Sequence, residues 1–182
     1  MTVNPEYLRR ARDLVSVSPV VYQTLFMKVG EALWHVQHFE YSMAYYLATV
    51  LDLSKADAAQ RTWELVDSTR KKTSGELLKR LRVKGVLSPE GDAALTELIR
   101  ERNWLVHRLQ EEDGDAVFGD ETLSGLLLRI ERLRKTALGA QKEFARLVLE
   151  WTKRQGVSQE QIDEVSLLEL SRKRKKISCT KS

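Results

Sequence analysis

Residues 19–52 read PVVYQTLFMKVGEALWHVQHFEYSMAYYLATVLD, and their pattern decides the fold class. Ser18 stands just before Pro19, and a proline in the first helical turn loses no hydrogen bond through its missing N–H. At about 100° per residue, Phe26, Val29, Leu33, Val36, Met43, Ala44, Leu47 and Leu51 form one apolar stripe. Trp34, Tyr41 and Tyr45 add a second apolar flank, so this face is wider than packing in one bundle requires. A segment this long, apolar along one stripe and free of further prolines, reads as one long amphipathic helix.

The same punctuation recurs on either side. Asn4-Pro5-Glu6 and Ser88-Pro89-Glu90 mark further helix starts, and Gly85 and Gly156, each just past basic residues, mark helix ends. The expected helices run over about 5–15, 19–52, 55–83, 89–111, 121–155 and 158–170, the last opened by Ser158. Glu112–Asp120, EDGDAVFGD, has loop chemistry. No segment alternates with the period of two that a half-buried strand needs. The fold class is therefore all-α, an up-and-down bundle of four long helices plus short terminal helices. One domain is expected over 1–170, with a basic, disordered tail over 171–182.

Composition narrows the function classes. Apolar residues make up 42% of the chain, too many for a disordered protein. The single Cys179 cannot close an internal disulfide, and no Cys/His spacing suits zinc. Neither a signal peptide nor an apolar run of about 18 residues is present, so the expectation is a cytoplasmic protein with no membrane partner, no metal and no cofactor. Six of the 30 basic residues lie in the tail, which has no acid; the 24 that remain face 26 acidic ones, a net of −2 for the body. A globally basic nucleic-acid-binding surface is not indicated.

Two charged residues sit where apolar ones are expected. Along 89–111, Leu95, Leu98, Ile99, Leu105, Val106 and Leu109 share a face, and Arg102 lies near its middle. Asn103 and His107 flank one edge, and Trp104 is on the far side. Glu40 lies inside the stripe of the 19–52 helix. Desolvating either charge alone would cost several kcal/mol. Two accounts are open: a structural Arg102–Glu40 ion pair, or a stripe that partly lines a cleft or interface where Arg102 and His107 serve a ligand. His35 and His38 read as surface or capping residues, and the Trp and Tyr residues as packing.

The segment Glu101-Arg102-Asn103-Trp104-Leu105-Val106-His107 resembles the R-x4–6-H signature of the HEPN superfamily, with Asn103 in the polar slot after the arginine. The likeness extends by helix layout over about residues 20–155. It implies a four- or five-helix domain that dimerises with two motifs facing one cleft. Many members are metal-independent endoribonucleases acting as toxins or in phage defence; others are inactive and bind nucleotides, RNA or protein partners. By motif match, Arg102 would contact the scissile phosphate, His107 would act as general acid or base, and Asn103 would position either group, with Glu40 in support.

That assignment is chemically coherent. Cleavage of RNA by its own 2′-hydroxyl needs proton transfer and charge stabilisation on phosphoryl oxygens. An imidazole suits the first and a guanidinium fork the second. On a regular α-helix, however, residues five apart point about 140° away from each other, so a homodimer is expected to bring the groups of two chains together. Members that pair with a nucleotidyltransferase antitoxin carry Tyr two residues after the His. Leu109 holds that position here, which argues against that partnership. Beside the ribonuclease stand an inactive HEPN-like module binding nucleotide, RNA or protein, and a helical adaptor whose Arg102–Glu40 pair is purely structural.

Overall fold

A proline placed just after a serine starts two of the long elements, and each serine caps as its chemistry requires. Ser18 accepts from the Val20 N–H and Ser88 from the Gly91 N–H. The computed structural model describes residues 18–52, 62–161, 163, 164 and 167. The helix expected over 5–15, the beginning of the one expected over 55–83 and the tail 171–182 lie outside these residues.

Helices α1 (Pro19–Tyr46), α2 (Thr62–Arg70), α3 (Ser74–Val83), α4 (Pro89–Asn103), α5 (Leu109–Asp113) and α6 (Asp120–Arg154) are connected largely by helical turns of other pitch. A π turn, Leu47–Asp52, extends α1, and a second, Trp104–Arg108, joins α4 to α5. Gly114–Phe118, expected as loop, forms a 3₁₀ turn. Among the described residues there is no strand. The protein is an all-α bundle. Gly85 and Gly156 end α3 and α6 with positive φ, the conformation glycine adopts without a Cβ clash.

The core is a seam between α1 and α6, which pack along most of their length. Leu25, Ala32, Val36, Phe39 and Met43 on α1 meet Leu126, Ile130, Leu133, Ala137 and Phe144 on α6. Both sets advance by threes, fours and sevens, the spacing that keeps one stripe facing a partner helix. Phe144 packs on Phe39 and Tyr46, with ring centroids 6.2 and 5.5 Å apart. Phe26, placed in the stripe by its sequence position, instead projects into solvent, and Phe39 takes the buried place. A stripe assigned one residue off is the reason: the seam runs through Leu25, not Phe26.

The helix expected over 55–83 is interrupted. Thr73 accepts from the Glu76 N–H while the Glu76 carboxylate takes the Thr73 N–H, a reciprocal capping box that begins a new helix. This break changes the topology. α2 descends from the π turn of α1 to bring Arg70 over Tyr41, and α3 climbs back beside α1, with Ser74 at Glu40 and Lys84 at the Leu51 carbonyl. α4 descends again, antiparallel to α3, since Arg82 reaches both Asp92 and Thr96. With one extra reversal, α6 runs parallel to α1: Lys28 lies by Glu131, Glu31 by Arg134 and Phe39 by Phe144.

Candidate functional site

Because α2 and α3 turn back at mid-height of α1, the bundle has a gap there that none of the described helices fills. A cavity of about 600 Å³ opens at this point. α1 contributes Glu40 and Tyr41, the α2–α3 corner contributes Arg70, Lys72 and Ser74, and α4 with its π turn contributes Arg102, Asn103 and His107. All four residues singled out from the sequence, Arg102, Asn103, His107 and Glu40, therefore line one cavity of a single chain.

Arg102 is held on two sides. Its Nε donates to Glu40 Oε1 at 2.9 Å and its Nη1 to Asn103 Oδ1 at 3.1 Å. Ser74 Oγ donates to the same Glu40 oxygen. The pair is about a quarter exposed, 26% for Arg102 and 23% for Glu40, so it is neither sealed in the core nor free in solvent. Nη2 has no partner among the described residues, and it remains available to a ligand. The ion pair and the open cleft were alternatives in the sequence; they coexist here. Glu40 fixes the guanidinium, and the cavity exposes it.

The geometry between Arg102 and His107 departs from the regular-helix expectation. The Leu109 N–H bonds the Trp104 carbonyl, an i→i+5 closure that widens the coil over the residues carrying His107. Each residue then advances by less than 100°, and five-apart side chains swing toward a common direction. Arg102 and His107 accordingly face one cavity without a second chain, which removes the angular argument for a dimer. The same turn ends the apolar stripe: Val106, expected in the core, is 43% exposed. His107 itself is exposed.

Trp104 lies on the side of α4 away from Arg102, yet it is buried, because α6 covers that side. Arg129 of α6 lies 3.6 Å from the Trp104 ring centroid. Arg129 also binds Glu101 through two hydrogen bonds of 2.8 and 3.0 Å, and Asp113 at 3.2 Å. Trp104 Nε1 donates to the same Asp113 oxygen at 2.8 Å. The hydrogen bond from Arg129 holds the Glu101 carboxyl below its ordinary value, and Glu101 raises the Arg129 guanidinium in return. This network grips the residues on both flanks of Arg102 from behind. Sequence reasoning missed Arg129, Asp113, Arg70 and Lys72, since all reach the motif only through tertiary packing; the Thr73-x-x-Glu76 capping box was the one local signal of the corner that carries two of them.

Among the described residues, no group of three or more His, Cys, Asp or Glu side chains could hold a metal ion. No described helix is long and apolar enough to cross a membrane. No protein-family model matches the chain, and neither a curated protein nor a solved structure matches it.

Proposed function

We propose that the cavity is the active site of a metal-independent endoribonuclease of HEPN type. One observation carries this reading: a guanidinium with an N–H edge free among the described residues and an exposed imidazole line the same open cavity, with cations around them and, of the described residues, one acid, already bonded. Arg102 binds non-bridging phosphoryl oxygens and stabilises the charge that builds on them. His107 transfers a proton at the 2′-hydroxyl or at the leaving 5′-oxygen. Asn103 and Glu40 orient the guanidinium. The products are a cyclic 2′,3′-phosphate and a 5′-hydroxyl, so no water is consumed in the first step.

The deciding experiment is cleavage of labelled RNA by the full chain and by His107→Ala, with and without EDTA. Cleavage should persist in EDTA, leave cyclic phosphate ends, and fall by about 10²–10⁴-fold in the variant. A wild-type chain that cleaves nothing, or a variant as active as wild type, overturns the assignment and favours an inactive module that binds RNA or nucleotide.

The homodimer belongs to the same proposal. Val20, Met27 and Trp34 lie at seven-residue steps along α1, and all three are exposed, Trp34 at 62%. Such a stripe suits a second helix packed along it. A copy docked there, beside the cavity to which Tyr41 belongs, joins two sites into one longer cleft.

A further inference from the structure

The proton-transfer and phosphate groups leave one wall of the cavity unexplained. Tyr41 has its ring at the cavity and is 36% exposed, with the Arg70 guanidinium 4.8 Å from its centroid. Lys72 lies next along the α2–α3 corner. Neither Arg70 nor Lys72 makes a salt bridge among the described residues. Arg70 acts on Asp67, and Lys72 on Glu76, without a close ion pair. Such cations beside an aromatic face match the two halves of a nucleotide: an anionic phosphate and a polarisable base.

We propose that Tyr41 and Arg70 form a nucleobase subsite, with Lys72 on the adjoining phosphate, so that the cavity takes one unpaired nucleotide of single-stranded RNA. The inference rests on the proposed function and names its substrate class. The charge balance sets the ligand's sign: among the described residues, Arg70, Lys72 and Arg102 line the cavity against Glu40 alone, which Arg102 and Ser74 already bind. The volume sets its size. About 600 Å³ falls within the roughly 300–1,000 Å³ that encloses a single small-molecule unit, and a base must leave a duplex stack to enter a space of that kind. Sequence-tolerant stacking follows, because every base presents a π face.

The test measures binding by fluorescence anisotropy to the full chain carrying His107→Ala, which keeps the strand intact. Three probes are used: a fluorescein-labelled mixed-sequence RNA hexamer, a hexamer of abasic ribose phosphate with the same charge, and the hexamer duplex. The intact single strand should bind on the order of 10-fold more tightly than either of the others. Tyr41→Leu should bring the intact strand down to the abasic level, while Tyr41→Phe keeps the preference. Lys72→Gln should weaken all three probes alike and flatten the salt dependence by about one counterion. A thermal midpoint equal to that of the parent excludes a folding defect. Equal loss for intact and abasic strands on Tyr41→Leu, no loss for either, or a duplex bound as tightly as the single strand overturns the subsite. A base preference that depends on Tyr41, in a wild-type chain that cuts nothing, retains the subsite and ends the nuclease reading; cleavage without that dependence does the reverse.

Discussion

The guanidinium of Arg129 covers the face of Trp104 at 3.6 Å while binding both carboxylate oxygens of Glu101. One side chain of α6 thus holds residues on either side of Arg102, and it does so at the start of the π turn. Arg129→Ala removes the ring contact and the fork to Glu101 together. Because the guanidinium is still 35% exposed, solvent screening trims the gain, and the expected loss is about 1–2 kcal/mol. Thermal melts should show a midpoint lower by a few degrees. An unchanged midpoint would mean that the network does not support the fold.

Acid should loosen the same network. The Glu101 carboxyl titrates below its ordinary value of 4.5 in the folded chain. A depressed carboxylate contributes stability that is complete above the unfolded value and is lost as pH falls through the folded one. Stability should therefore decline below about pH 4.5, and Glu101→Gln should flatten that part of the curve. Urea midpoints between pH 3 and 6 for both chains provide the comparison.

At the cavity, Arg102→Ala strands Glu40 with Ser74 as its one remaining hydrogen-bond partner among the described residues. The pair's partial exposure lowers the cost below that of a sealed ion pair, to about 1–3 kcal/mol. The double change Arg102→Leu with Glu40→Leu should restore the melting temperature without restoring RNA binding or cleavage. Activity in the double variant would show that Arg102 acts only in folding.

The corner that shapes the cavity depends on one cap. Thr73→Ala removes the acceptor for the Glu76 N–H, at about 1 kcal/mol. Since Lys72 and Ser74 flank Thr73, RNA binding should weaken along with stability; hydrogen exchange localised to residues 70–78 would report the loosened corner.

For the dimer, Trp34→Glu introduces charge into the exposed stripe of α1 without touching the seam to α6. Sedimentation at tens of micromolar, a rough working range, should give a dimer for wild type and a monomer for the variant. A monomeric wild type rules the dimer out.

The sequence by itself determined the all-α class, the positions of the helix starts at Pro19 and Pro89, the helix ends at Gly85 and Gly156, and the oddity of Arg102 and Glu40. These rest on local chemistry: capping, φ preference and a 100° period act within a few residues of one another. Even the break before Ser74 was written locally, in Thr73 and Glu76, although the apolar pattern ran across it. Tertiary structure alone decided that the break reverses the chain, makes α1 and α6 parallel, and leaves a gap at Glu40. It alone decided that Trp104 is buried, since its cover comes from Arg129, distant in sequence. The facing of Arg102 and His107 is of the same kind. A regular helix would separate them, and the π turn that reunites them is gripped by Arg129 of α6 and Asp113 of α5 rather than specified by the period of its own residues.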